Sequence, residues 1–261
     1  MKNYSPIADF ETYNARMGKG LIDKLFFVDK INPDFVLDFG CADGSLLKAL
    51  RTWYPNATLV GYDIDPKMVE LANEERDENL NFTSDWEQVV DYLSSFKEKT
   101  SAILLSSIVH EVYHYQEPSE VDAFWGKVFS GDFNFVVFRD MIPGRSINRH
   151  SDIDDVTKIY RNFLHTKQLQ DFENIWGSIE DNRSLTHFLL KYKYETPNWD
   201  REVKENYLPL YREDLLAMIP IGYDVIYHEH FVLPYIKRTV KQEIGIEMKD
   251  PTHLKLILEK A

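Results

Sequence analysis

One cysteine, Cys41, stands in 261 residues. A lone thiol closes no internal disulfide and holds no cysteine-based metal cluster, which excludes a disulfide-stapled scaffold and an iron–sulfur centre within this chain. Long apolar runs are missing too: nowhere do roughly 18 apolar residues follow one another, the length that a bilayer-spanning helix needs. The opening residues, Met1-Lys2-Asn3-Tyr4-Ser5-Pro6, lack the apolar stretch and small-residue cleavage site of a secretory signal. Positive charge is in deficit, with 30 Lys+Arg against 43 Asp+Glu and a net charge of −13. That balance opposes non-specific attraction to nucleic acid. The deficit is local, since residues 1–140 carry 13 basic against 24 acidic side chains, residues 141–220 carry 11 against 13, and residues 221–261 carry 6 against 6. A phosphate-binding patch in the second half therefore stays open. Internal repeats and low-complexity linkers are absent. These absences predict a cytoplasmic protein that does not enter a membrane.

What is present is a rhythm of short apolar runs and amphipathic segments. Residues 9–30 place Phe10, Tyr13, Met17, Leu21, Leu25 and Val28 at spacings of three and four, which predicts a helix ending at Asn32-Pro33. Strands are expected at 35–39, 58–62, 80–83, 101–107 and 134–139, with helices at 45–51, 67–76 and 119–129 between them. Strands alternating with helices imply a doubly wound, mostly parallel sheet. Beyond residue 141 the pattern turns helical, notably at 156–164 and 184–194 and again after Pro197. Two apolar runs, 223–233 and 253–258, then close the chain as an antiparallel pair.

The expected architecture is an α/β, Rossmann-like, seven-stranded sheet with an antiparallel C-terminal strand and a helical insertion between strands 5 and 6. Residues 1–140 form the nucleoside-binding core, 141–220 the insertion, and 221–261 the strand pair that completes the sheet.

Where the first strand ends, the chain reads Asp38-Phe39-Gly40-Cys41-Ala42-Asp43-Gly44. Small residues at Gly40, Ala42 and Gly44 let the backbone turn sharply and approach a ligand closely. At the end of the next strand stands Asp63, a carboxylate suited to a ribose diol. The two together indicate a nucleoside site. The spacing G-x-A-x-G departs from the pyrophosphate fingerprint G-x-G-x-x-G, and no G-x-x-x-x-G-K-[ST] run exists, so a P-loop NTPase is disfavoured.

The stretch 36–44 resembles the first motif of the class I S-adenosylmethionine-dependent methyltransferases, and Gly61-Tyr62-Asp63-Ile64-Asp65-Pro66-Lys67-Met68 resembles their second. The resemblance covers residues 35–140; its one departure is Ala42 in place of a glycine. It implies an enzyme that uses S-adenosylmethionine and releases S-adenosylhomocysteine. It further implies that Asp38, with Gly40, Cys41, Ala42 and Gly44, holds the methionine moiety and that Asp63 holds the ribose. Ile64 and Met68 would flank the adenine, with Asp85 at its amino group and Trp86 beside the ring. Ser106, Ser107 and His110 would line the methyl-transfer end. In the N-terminal segment, Tyr4, Tyr13 and Arg16 are candidates to fold over the cofactor, Arg16 facing its carboxylate.

A methyl sulfonium is already electrophilic, so such an enzyme mainly aligns the acceptor, and a base matters only where the acceptor must lose a proton. His110 and Glu111, after the fourth strand, and Asp140, ending the fifth, are the candidate catalytic groups. His110-Glu111-Val112-Tyr113-His114 also spells H-E-x-x-H, the zinc-protease helix motif, but it begins directly after a Rossmann strand and lacks a third ligand. A metal-free site is therefore expected, with a metal held by His110, Glu111 and His114 as the lesser reading.

The acceptor is unidentified. No N-P-P-Y-like run follows the fourth strand and no Pro-Cys pair lies in it, which disfavours the DNA amino and cytosine-C5 acceptors. A small molecule is favoured, with RNA or protein as the alternative. A non-catalytic S-adenosylmethionine or S-adenosylhomocysteine sensor is the reading from another class.

Overall fold

A computed structural model describes residues 20–261. Its strands are β1 (Phe35–Phe39), β2 (Thr58–Tyr62), β3 (Leu80–Thr83), β4 (Ser101–Ser106), β5 (Phe135–Asp140), β6 (Tyr223–Phe231) and β7 (His253–Lys260). They form one seven-stranded sheet in the order β3-β2-β1-β4-β5-β7-β6. The first five are parallel, and β7 runs antiparallel to both β5 and β6. This is the Rossmann-like fold that the sequence predicted.

Parallel strands covered by helices on both faces bury every side chain, and β1 does so along its whole length. Its Phe35, Leu37 and Phe39 pack into one layer with Val89, Phe124 and Val128. Its Val36 packs into the opposite layer with Leu46, Leu47 and Val69. The helices supplying those layers are α2 (Ser45–Leu50) and α3 (Pro66–Asn73) on one face, and α4 (Trp86–Ser95), α5 (Val109–Tyr115) and α6 (Pro118–Ser130) on the other. Strand order reverses between β1 and β4, and such a switch point opens a crevice beyond the carboxyl ends of the strands.

Between β5 and β6 lies the expected helical insertion: α7 (Ile153–Phe163), α8 (Lys167–Trp176), α9 (Asn182–Lys191), α10 (Trp199–Glu202) and α11 (Arg212–Met218). Its core joins Ile159, Phe172, Phe188 and Trp199, and it also takes in Val240, Ile244, Ile246 and Met248 from beyond β6. Those residues belong to α12 (Pro234–Glu243) and the loop after it. The sequence reading assigned 221–261 wholly to the sheet, yet 236, 240 and 244 fall on one helical face that packs on the insertion.

The predicted helix over 9–30 is also different. Of that segment's described residues, 20–30, only α1 (Leu21–Lys24) is helical. Residues 25–30 are turns, with three-residue hydrogen bonds from Val28 N to Leu25 O and from Lys30 N to Phe27 O. Phe27 sinks into the core at 1% exposure while Phe26 packs on Tyr227, so adjacent side chains are both held against the protein. No helix among the described residues is long and apolar enough to cross a membrane.

Candidate active site

The turn after β1 is built from left-handed residues: Gly40 has φ +80°, Ala42 φ +47° and Gly44 φ +76°. Gly44 also opens α2, and a Cβ there would come within 2.5 Å of the Phe82 ring. Ala42 holds its conformation at a cost of about 1–2 kcal/mol, and Asp63 is what restrains it. One Asp63 oxygen accepts the Ala42 amide at 2.8 Å and the other accepts the Asp65 amide at 2.9 Å. The Asp63 carboxylate thereby joins the β1 turn to the β2 end.

Above this joint lies a cleft of about 430 Å³ at the switch point. Asp38, Gly40, Cys41, Ala42, Asp63, Ile64, Met68, Ser106, Ser107 and Glu111, all singled out in the sequence, line it. Asp38 is 3% exposed, and burial pushes its carboxyl up to about 7, with Lys24 opposing and Asp63 adding to the rise. Burial also raises Asp63, against its two amide donors. The Ser106 hydroxyl is buried and has no hydrogen-bond partner among the described residues, a polar group left for a ligand.

Five candidates lie off the cleft wall, His110 among them, because its ring turns back toward Asp140 and Glu205. Gly44 sits beneath the turn. Asp85 caps α4, its carboxylate accepting the Glu87 amide at 2.9 Å. Trp86 packs behind Tyr62 and Phe39, with Lys127 Nζ 4.6 Å from its ring. Asp140 is fully buried. Arg16, Tyr4 and Tyr13 lie outside the described residues. On the described part of the N-terminal segment, Leu21 and Lys24 of α1 line the cleft.

Asp140 organises the catalytic candidates from behind. Its carboxylate accepts the amides of Val109 at 2.7 Å, His110 at 3.3 Å and Met141 at 2.7 Å, and meets His110 Nδ1 at 2.6 Å. It thus caps α5 from the neighbouring strand, where Ile108 offers no side-chain cap. The other ring nitrogen, His110 Nε2, lies 3.2 Å from Glu205 Oε1 of the insertion. Burial alone would lower the imidazole pKa; the carboxylates on either side reverse that and hold it well above the usual range. With both nitrogens engaged, His110 is not placed to accept a proton from an acceptor. Glu111, 31% exposed, is the member of the pair that lines the cleft. Burial and Glu205 push its carboxyl up to about 8, against His110 and Arg201.

Residues 201–207 come from the insertion and were not singled out in the sequence. Lys191 donates to the carbonyls of Glu202 and Glu205, Trp176 Nε1 donates to the Val203 carbonyl at 2.6 Å, and the Tyr207 hydroxyl donates to Glu202. So fixed, the segment brings Glu205 to His110 and places Arg201 on the cleft wall, with Arg201 Nη2 3.5 Å from Glu205 and 3.9 Å from Glu111. Only the i, i+4 spacing of Arg201 and Glu205 hinted at a pair; nothing local pointed to His110.

Residues 36–129 match the family model described as a methyltransferase domain. Over those residues the chain carries a methyltransferase domain of the class I S-adenosylmethionine-dependent kind. A trans-aconitate 2-methyltransferase of Mycolicibacterium gilvum (strain PYR-GCK) is 31% identical over 85 residues, 32% of this chain. That match spans 33% of the relative's length. Among solved structures, the MccD protein superposes with a TM-score of 0.50 at 12% identity, covering 94% of this chain and 99% of its own, a likeness of fold. The plantazolicin methyltransferase BamL, solved with S-adenosylhomocysteine, gives 0.49 at 12% identity, covering 96% of this chain and 88% of its own.

Proposed function

We propose that the chain is a methyltransferase that takes its methyl group from S-adenosylmethionine and gives it to a small molecule. The carrying observation is the Asp63 carboxylate, which fixes the left-handed turn at the mouth of the switch-point cleft. A carboxylate has about four acceptor sites, and Ala42 and Asp65 use two, which leaves two for a ribose diol. Asp38 and the Gly40–Gly44 backbone then take the methionine ammonium, and Lys24 its carboxylate. Ile64 and Met68 take the adenine faces.

The methyl end points toward Ser106, Ser107 and Glu111. Catalysis there is alignment: the sulfonium supplies the reactivity, and the walls hold the nucleophile in line with the methyl group. Arg201 and its segment close the acceptor end, which supports a small acceptor rather than a polymer. The trans-aconitate named for the relative points the same way. A cytoplasmic setting belongs to this reading, supported by the free, buried thiol of Cys41.

Cofactor binding should depend on pH through Asp38. Its folded value, about 7, lies above the ordinary carboxylate range, so near neutrality the empty site is partly protonated. The cofactor ammonium needs the ionised form. Affinity for S-adenosylhomocysteine should therefore rise from pH 6 to about 8 and level off above that, with the loss approaching about tenfold per unit well below 7. Calorimetry across that range checks it, and a flat profile would exclude Asp38 as the ammonium partner.

The function itself is tested by incubating the protein and labelled S-adenosylmethionine with a cell extract split into a low-molecular-weight filtrate and a macromolecular fraction. Label is expected in the filtrate. Label in nuclease- or protease-sensitive material would overturn the small-molecule acceptor, and no transfer by a protein that binds the cofactor would leave a sensor.

A further inference from the structure

We propose that His110, Glu111 and Glu205 form a site for a divalent first-row transition ion, Zn²⁺ or Mn²⁺, at the acceptor end of the cleft. One donor atom from each lies within 4.8 Å of the other two. Two come from the α5 helix of the core and one from the insertion. The H-E-x-x-H run lacked a third ligand in sequence; packing brings Glu205 to it from 95 residues beyond His110.

Two further observations separate this cluster from a chance gathering of acids. The first is the orientation of the imidazole. Histidines that bind metals usually give their other nitrogen to a carboxylate, which fixes the ring and its tautomer. The 2.6 Å contact between Asp140 and His110 Nδ1 has that form and turns Nε2 toward Glu205.

The second is the contrast in distances on the two sides of the ring. On the Asp140 side the contact is short. On the Nε2 side the contacts to the Glu205 carboxylate are longer: 3.2 Å from Nε2, 3.5 Å from the Tyr115 hydroxyl and 3.5 Å from Arg201. Arg201 makes its shorter contact, 3.0 Å, with Glu202. Donors 3.2 Å apart, each bound at about 2.1 Å, subtend about 100° at an ion, between the octahedral and tetrahedral angles.

Charge agrees. Asp140, Glu111, Glu202 and Glu205 place four carboxylates around the site, while Arg201 and Lys191 supply two cations. One imidazole and two carboxylates suit Zn²⁺ or Mn²⁺ better than Ca²⁺ or Mg²⁺, which prefer all-oxygen shells. An ion beside Glu111 would bind an acceptor oxygen and lower its pKa, which directs methylation to an oxygen nucleophile. That role rests on the methyl-transfer reading; the ion site does not.

The test uses untagged protein purified without chelator. Mass spectrometry should find about one equivalent of zinc or manganese. After chelator treatment, calorimetry with Zn²⁺, Mn²⁺ and Mg²⁺ in turn should show one site for a transition ion. Glu205→Gln should weaken that binding at least about tenfold to a hundredfold, and Glu111→Gln, the second variant should the first not fold, should do the same. Glu205→Gln, which does not line the cleft, should keep S-adenosylhomocysteine affinity, and circular dichroism checks the fold of Glu111→Gln; together these separate loss of the ion from loss of the fold or of the cofactor site. His114→Ala should leave ion binding intact, because that ring meets Tyr115 edge to face outside the cluster.

A folded wild-type protein that carries no ion and binds none of the three would overturn the site. Equal affinity in wild type, Glu205→Gln and Glu111→Gln, or loss of the ion in His114→Ala, would overturn this ligand set.

Discussion

Asp63→Ala is expected to weaken S-adenosylhomocysteine binding at least about a hundredfold while the protein stays folded. Two ribose hydroxyls donating to a partly buried carboxylate form charge-assisted hydrogen bonds of about 1.5–3 kcal/mol each, and each 1.4 kcal/mol is about a factor of ten. The substitution also frees the Ala42 amide, now held at 2.8 Å. The loop is then free to leave its left-handed conformation, which adds a preorganisation loss.

Asp63→Asn separates the two effects. Its amide oxygen can still take one backbone donor, so the turn is partly restrained, but the charge and one acceptor are gone. An intermediate loss of about tenfold is expected by the same hydrogen-bond scale. Titration calorimetry measures both variants, and circular dichroism confirms the fold. Alanine binding within about threefold of wild type would remove the ribose from Asp63 and reopen the question of which nucleoside the cleft takes.

The parts of this molecule that sequence revealed are those decided by neighbours in the chain. Strands β1, β4 and β5 are continuous apolar runs because both faces of the sheet are covered, and the turn at Gly40–Gly44 needs small residues where it stands. Asp38, Asp63 and Glu111 follow directly from strand ends, and all three line the cleft.

Asp85 shows how two readings share one position. An aspartate between a strand and a helix suits a ligand and an N-cap equally, and here its carboxylate caps the helix off the cleft wall. The same competition hid α4 itself, whose start Asp85 marks. Glu205 and Arg201 were out of reach for another reason. Their partners are His110 and Glu111 across the junction of core and insertion, and the residues that fix their segment, Lys191 and Trp176, lie on two different helices. No local pattern encodes that meeting.

Asp140→Ala should destabilise the protein by about 3–5 kcal/mol, the usual result of removing one partner from a buried ion pair. In a chain of this size that lowers the melting temperature by on the order of 10 °C. The loss has two sources. Removing the carboxylate strands the amides of Val109, His110 and Met141, all now satisfied by it. It also leaves the buried His110 ring with Glu205 as its remaining carboxylate partner.

Asp140→Asn should cost less, since an amide oxygen still accepts from the start of α5, though an amide cannot supply the charge that the 2.6 Å contact uses. The comparison belongs in ligand-free protein, because a bound cofactor adds its own stabilisation. Asp140 does not reach the cleft, so Asp140→Asn that remains folded should bind S-adenosylhomocysteine as wild type does. Thermal unfolding of the three proteins, followed by one titration each, decides the point. A shift below about 2 °C for the alanine variant would show that α5 is held in place without Asp140. A large loss of cofactor affinity in folded Asp140→Asn would instead place Asp140 in the binding site.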